Sequence, residues 1–294
     1  MIAILGGLGA AILWATANLA SSRSSRLIGA ASTVAWMMVV GLIVTTPLAV
    51  ASGPVPAITP TLALWLTASG FGSVIGLILV YRGLRIGKIG VVLALTSTEG
   101  AIAAVFSIIA GESLSLPIVL VLGLIAVGIA TVALAGESSA APVDENGTEV
   151  VSTGLNVDQR SALYGGAAAL AFGFSIYGTA QAGISLPVFM AVMPARVVGV
   201  ACVFVPMALT GRLQLTRRAV PLILIVAGGE VFGNVSYVLG ARDSIAIASV
   251  LASQFAAVAA IAAFFIFHER LTPRQRYGFV AIAVGLAILT VVRS

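Results

Sequence analysis

Three ionisable residues stand inside long apolar stretches of this chain: Glu99, Arg196 and Glu230. A charged side chain at the centre of a bilayer costs about 2.5–3.5 kcal/mol on insertion scales, so each residue has a functional or a structural reason to be there. We expect the three to line a polar pathway, where a carboxylate binds a charged group of a substrate or carries a proton. The alternative is a buried ion pair, Arg196 with Glu99 or Glu230, that only fixes helix packing.

Further polar residues fall on shared helix faces. Glu230, Asn234 and Tyr237 are spaced i, i+4 and i+7, which predicts one face and a binding surface, with interhelical hydrogen bonding as the alternative. Trp14 and Asn18, at i and i+4, offer a stacking wall with an amide beside it, or plain packing. The candidate residues for substrate binding or proton coupling are Glu99, Arg196, Glu230, Asn234, Tyr237, Trp14, Asn18 and Gln254.

The elements that hold these residues are predicted to be membrane helices. Of 294 residues, 60% are hydrophobic and 9% are charged, and the mean hydropathy of +1.15 excludes a soluble globular domain. A crossing helix needs about 20 apolar residues. Ten runs qualify, near 2–20, 28–50, 60–81, 89–110, 116–135, 161–180, 184–210, 219–240, 244–267 and 275–292. The sequence therefore predicts an all-α integral membrane protein with ten transmembrane helices, the first of them retained rather than cleaved as a signal peptide.

The chain also repeats itself. A shift of 157 (269 minus 112) places Glu269 on Glu112. The same shift pairs Gly72 with Gly229, Gly76 with Gly233, Gly83 with Gly240, Arg85 with Arg242, Leu114 with Leu271 and Gly128 with Gly285. It relates Gln254 to Ser97, so we expect these two side chains at matching places on either side of a cavity.

The repeat divides the chain into two five-helix halves, residues 1–135 and 161–294, joined by a polar linker at 136–160. Because five crossings are an odd number, the second half enters the membrane from the opposite side. Two inverted repeats of this kind are the architecture of many secondary transporters, whose substrate site lies at the repeat interface.

Basic loop residues support the inversion, because they gather on one side of the membrane. They are Arg23 and Arg26 after span one, Arg82, Arg85 and Lys88 after span three, Arg212, Arg217 and Arg218 after span seven, and Arg270, Arg274 and Arg276 after span nine. The positive-inside rule makes that side cytoplasmic and places both termini outside.

Two short loops carry the resemblance to a known family. Gly111 to Leu114 (GESL) and His268 to Gln275 (HERLTPRQ) join the fourth and fifth helices of each half, and Gly278 and Gly285 follow in the last helix. This pattern over nearly the whole chain resembles the EamA-type transporters of the drug/metabolite transporter superfamily.

The resemblance implies a carrier of small metabolites, often an exporter of amino acids or related compounds. It implies alternating access around a cavity formed by the first four helices of each half. The chain departs from the family at a proline usually found thirteen residues before the loop glutamate, where it has Glu99 and Ala256. It departs also in orientation, since family members often have both termini inside.

We interpret the loop glutamates Glu112 and Glu269 as helix caps or partners of loop arginines rather than catalytic groups. No GxxxxGK[ST] sequence is present, so the chain does not hydrolyse ATP through a P-loop. A single cysteine, Cys202, and a single histidine, His268, argue against a metal or cofactor site. Nothing in the charge pattern suits nucleic acid.

The predicted function is that of a secondary transporter, not an enzyme, moving a small metabolite such as an amino acid or related compound, export being one option. A multidrug or organic-cation exporter is the alternative, and an intramembrane enzyme or lipid-handling protein is a remote one. We expect a multi-pass protein of the plasma membrane, of bacterial inner-membrane type, whose partners are its substrate, the lipid bilayer and, as an option, protons. Its oligomeric state is left open.

Overall fold

The computed structural model describes residues 1–86, 92, 95–135, 155–267 and 273–293, and within them every regular element is helical. The helices are α1 (Ile2–Ile28), α2 (Ala30–Ala51), α3 (Pro60–Ile86), α4 (Glu99–Ile109), α5 (Leu116–Ala135), α6 (Leu155–Ser185), α7 (Val188–Leu209, with a π-helical turn at Val200–Phe204), α8 (Val220–Ala241), α9 (Ile245–Ala252), α10 (Phe255–Phe267) and α11 (Pro273–Arg293). The all-α prediction is confirmed.

Six of these helices are long and apolar enough to cross a membrane: α1, α2, α3, α6, α7 and α8. The other predicted spans coincide with shorter apolar helices at Glu99–Ile109, Leu116–Thr131, Ile245–Ala259 and Arg276–Val292. Length and composition together therefore describe a multi-pass membrane protein.

Several helices extend beyond their apolar runs. Arg23 and Arg26, predicted in a loop, lie in the last turns of α1, and α6 begins at Leu155 inside the predicted linker. Backbone hydrogen bonding continues past the last apolar residue because a helix needs no apolar side chains once it leaves the hydrocarbon. Most of the linker, at 136–154, lies outside the described residues.

Two helices are interrupted without a proline. Turns at Ser97–Thr98 and Ser253–Gln254 precede α4 and α10. In each turn a hydroxyl donates to the carbonyl three residues earlier, at 2.7 Å from Thr98 and 2.9 Å from Ser253. Such a side-chain bond competes with the helical ladder, so these hydroxyls account for an interruption without a proline.

The helices pack in matching pairs across the chain: α1 against α8, α3 against α6, α2 against α7, α4 against α9 and α5 against α11. Glycines let the backbones approach. A Cβ on Gly72 would lie 2.8 Å from the carbonyl oxygen of Ala171, and one on Gly229 would lie 2.7 Å from that of Leu13. Small residues at such crossings are typical of membrane helix packing.

The loop between α4 and α5 confirms one predicted role. The Glu112 carboxylate accepts the backbone N–H of Ala246 at 3.2 Å, in the first turn of α9. A carboxylate there satisfies a free N–H and complements the helix dipole. The corresponding Glu269, with His268, lies outside the described residues.

Candidate functional site

The centre of the site is an ion pair between α7 and α8. Nη2 of Arg196 lies 3.3 Å from Oε2 of Glu230, and the side chains are 3% and 30% exposed. Asn234, one turn along α8, donates from Nδ2 to the same Oε2 at 3.3 Å and to the Glu230 backbone carbonyl at 2.7 Å. Of the two pairings that the sequence allowed for Arg196, the structure therefore has the one with Glu230.

Arg196 is held against α2 by packing. Its Nη1 lies 3.8 Å from Sδ of Met38, and a Cβ on Gly41 would lie 3.1 Å from its Cδ. Its Nε is buried and has no acceptor among the described residues. The Nε–H of the guanidinium is therefore unused within the described part of the chain.

Glu99 supplies a second carboxylate, buried at the first residue of α4. Within the described part of the chain no hydrogen bond or ion pair reaches this carboxylate, and it is close enough to Glu230 for their charges to interact. Two acids therefore share the region of one guanidinium, and only Glu230 is paired with it.

An aromatic group closes one side of the site. The ring of Trp14 lies 6.2 Å from that of Tyr237 and 6.3 Å from that of Phe255, centroid to centroid. A Cβ on Gly233 would come within 2.5 Å of the indole, so only glycine leaves room for it there. The indole Nε1 is buried and finds no acceptor among the described residues.

Tyr237 is fully buried and serves packing between helices. Its hydroxyl lies 3.2 Å from the carbonyl oxygen of Ile176 and 2.9 Å from Oγ of Ser249. Since a phenol has one proton, it donates to Ile176 and accepts from Ser249. Of the predicted α8 stripe, Glu230 and Asn234 remain partly open, while Tyr237 takes the interhelical role that the sequence gave as the alternative.

Gln254 occupies the turn between α9 and α10. It is 4% exposed, and its Nε2 has no acceptor in the described part of the molecule. The two interruptions align Ser253–Gln254 with Ser97–Thr98, a shift of 156 (254 minus 98). Gln254 therefore corresponds to Thr98 rather than to Ser97, and Glu99 corresponds to Phe255.

Asn18 is the exposed member of one face of α1. It lies on the same face as Trp14 and Gly7, four and eleven residues earlier, which are both buried, yet Asn18 itself is exposed. Its neighbours Ala17 and Ala20 are buried. The predicted pair on α1 therefore has a buried ring at Trp14 and an accessible amide at Asn18.

The sequence did not single out a second aromatic cluster, where Trp65 and Phe106 surround Tyr177 at centroid distances of 5.3 and 6.0 Å. The Tyr177 hydroxyl accepts a hydrogen bond from Gln181 at 2.7 Å. Nor did the sequence single out Met38, Ser249 or Phe255 as contacts of the site. The only signal for Met38 was its place in the repeat, opposite Arg196 at a shift of 158 (196 minus 38).

Comparisons with known proteins concern the family and the fold. Residues 1–134 match the model of the EamA-like transporter family, which confirms the resemblance for that part of the chain. That family is described as one of transporters, and the match covers 134 of the 294 residues. No curated protein matches the chain. A solved crystal structure shares its fold, with a TM-score of 0.73 and 16% identity over 99% of this chain and 96% of the other.

Proposed function

From a first half that matches the EamA-like transporter family, we propose that the chain is a secondary transporter of a small metabolite, an amino acid or related compound. It works by alternating access between two inverted halves, residues 1–135 and 161–294, joined by the linker at 136–160. The observation that carries the proposal is the ion pair of Arg196 and Glu230 between α7 and α8. We take exposed Asn18, one turn from buried Trp14, to mark the side on which the bundle opens.

Reciprocal contacts support the two halves. Gly41 of α2 packs on Arg196 of α7, and Gly199 of α7 packs on Met38 of α2. Both pairs are related by one shift, 158 (199 minus 41 and 196 minus 38). Contacts that map onto each other when the halves are exchanged support a two-fold axis between α2 and α7, beside the ion pair. A site on such an axis is equally near to both halves, as alternating access requires.

The open end of the bundle carries the basic residues. The loop with Arg212, Arg217 and Arg218 is bound to the start of α2, where Gln214 accepts from Trp36 Nε1 at 3.0 Å and its N–H donates to Ser32 at 3.1 Å. Arg23 and Arg26 lie at the same end of α1. Under the positive-inside rule this end is cytoplasmic, and we therefore propose an inward-open state with both termini outside.

Buried hydrogen-bond donors without partners favour a cargo that carries hydrogen-bond acceptors. Trp14 Nε1, Arg196 Nε and Gln254 Nε2 are buried without partners among the described residues. Leaving such a group unpaired costs about 1–3 kcal/mol, which a carboxylate-bearing cargo recovers as the helices adjust around it. The carboxylates of Glu99 and Glu230 suit an amino group. A zwitterion uses both sets, whereas a lipophilic cation leaves the donors unpaired.

Glu99 is the better candidate for proton coupling. Buried acids in membrane spans often mark proton pathways. Glu230 is engaged by Arg196 and Asn234, while Glu99 has no such partner within the described residues. Energy for transport would then come from a proton gradient.

The test is flux in proteoliposomes loaded with amino acids or organic cations, with and without a pH gradient. We expect a zwitterionic amino acid to move and the gradient to drive it. Glu99→Gln should abolish that drive while exchange of cargo persists, and Glu99→Asp, the matched control, should keep part of it. Glu230→Gln should lower flux itself. Flux of cations alone, or gradient drive that survives Glu99→Gln, would overturn the corresponding part of the proposal.

A further inference from the structure

Three consecutive residues between α8 and α9 each bind a different element at the end of the bundle opposite the opening. They are Arg242, Asp243 and Ser244. Asp243 accepts the backbone N–H of Ala3, in the first turn of α1, at 3.0 Å. It thus fixes the start of the helix whose other end borders the opening.

Arg242 binds the end of α6. Its Nε donates to the carbonyl of Gly183 and its Nη2 to that of Leu186, both at 2.8 Å. These carbonyls belong to the last turn of the helix and to the residue that follows it, where no intrahelical N–H is available. A cation there also complements the negative end of the helix dipole.

Ser244 joins the two halves. Its hydroxyl donates to Oε1 of Glu112, and its oxygen accepts the N–H of Ile247 at 3.2 Å as the N-cap of α9. Glu112 in turn receives Ser107 Oγ and the N–H of Ala246. The loop from α4 to α5 is therefore bound to α9, although these elements come from different halves.

Beneath these bonds α8 packs closely against α1 and α6. A Cβ on Gly6 of α1 would lie 2.5 Å from Cα of Gly240 of α8, and one on Gly183 of α6 would collide with the side chain of Val238 of α8. At this level α8 can part from either neighbour only if their ends separate. The residues that hold these ends together are Arg242 and Asp243.

We propose that Arg242, Asp243 and Ser244, with Glu112, form a lock that keeps this end of the bundle shut, and that opening toward this side requires their bonds to α6, α1 and the α4–α5 loop to break. The lock rests on the alternating access proposed above. In this proposal the loop between α8 and α9 controls which side of the membrane the site faces. Simple helix caps would stabilise their helices without affecting that choice.

The experiment reads access directly, with no need for cargo. In a Cys202→Ser background, Ala248→Cys provides a reporter that is fully buried behind the lock. A membrane-impermeant maleimide is added from the side of the lock. Without further change we expect slow labelling, and with Glu112→Gln or Arg242→Gln a rise of about tenfold, as a population shift of one decade gives.

Two controls sharpen the result. Arg212→Gln removes an exposed arginine at the opposite end and should leave the labelling rate unchanged. A second reporter, Asn18→Cys, labelled from the opposite side, should slow as Ala248→Cys quickens. If Glu112→Gln does not fold, Arg242→Gln tests the lock from a different element.

Unchanged labelling in folded lock variants, with only a lower melting temperature, would overturn the lock and leave these residues as caps. The outcome is separate from that of the transport assay. Faster labelling in the lock variants without flux of any cargo would sustain the lock and refute the proposed function. Flux with unchanged labelling would sustain the proposed function and refute the lock.

Discussion

The framework of the two halves repeats, whereas the chemistry of the site does not. Gly76 packs against the ring of Phe172, and Gly233 packs against the ring of Trp14, so the same contact occurs twice. Arg196, however, stands where the first half has Met38. Contacts made by glycine and backbone survive divergence of the side chains around them, because they require only that no side chain be present.

Charged residues are therefore distributed unequally between two halves whose glycine contacts are nearly the same. Glu230 corresponds to Ser73 (230 minus 157), and Glu99 corresponds to Phe255 (255 minus 156). Each half contributes one acid at a place where the other half has a neutral residue. The charged side chains thus differ between the halves, while the glycine contacts between helices are shared.

We expect the largest effect when Arg196 is replaced by methionine, the residue at the corresponding position, Met38, of the first half. Arg196→Met leaves Glu230 without its cation, which costs about 3–5 kcal/mol in a fully buried pair and about 2 kcal/mol here, because Glu230 is partly exposed. We expect flux to fall by about two decades, with a lower melting temperature. Both are measured in the same proteoliposome preparation.

The double variant Arg196→Met with Glu230→Ser makes the second half resemble the first at both positions. It should recover most of the lost melting temperature, since no unpaired charge remains, but none of the flux. Recovery of flux would show that the ion pair serves packing only and would contradict an asymmetric site.

An intermediate effect is expected at the two ring contacts. Gly233→Ala and Gly76→Ala place a methyl group within 2.5 Å of Trp14 and 2.8 Å of Phe172 respectively. Overpacking of this kind costs about 1–3 kcal/mol in either half. Only Gly233→Ala should also raise KM, because only Trp14 borders the polar cluster. Equal KM values would remove Trp14 from the site.

The smallest effect is expected at Gln254. Gln254→Met replaces an unpaired buried donor with an apolar side chain of similar shape, so we expect a gain of about 1 kcal/mol in stability. Affinity for a carboxylate-bearing cargo should fall severalfold at the same time. Thermal unfolding measures the change in stability, and titration with cargo measures the change in affinity. A loss of stability would show that Nε2 has a hydrogen-bond acceptor in the membrane.

Sequence patterns predicted the helices well where apolar runs are long. The ends of α1 and α6 were missed because charged residues continue a helix outside the hydrocarbon, where hydropathy carries no signal. The turns at Ser97–Thr98 and Ser253–Gln254 were missed for another reason. Hydroxyl groups that bond back to their own helix leave no pattern comparable to a proline.

The sequence singled out the charged residues of the candidate site but not which of them pair. Glu99, Arg196 and Glu230 were conspicuous because charge is costly in a bilayer. That Arg196 binds Glu230 rather than Glu99 depends on the crossing of α7 and α8, which no local pattern encodes. A single shift of 157 also hid the correspondence of Arg196 with Met38, because the shift varies between 156 and 158 along the chain.

The exposure of Asn18 beside buried Trp14 has an electrical consequence. If water reaches Asn18 in the proposed transport cycle, it carries the potential of that side into the bundle, and the membrane voltage then falls mainly across the layer from Trp14 to Ala3. One elementary charge that crosses this layer does work of about 2.3 kcal/mol per 100 mV. A zwitterion moving alone crosses at no electrical cost, whereas a zwitterion moving with a proton makes each cycle a current.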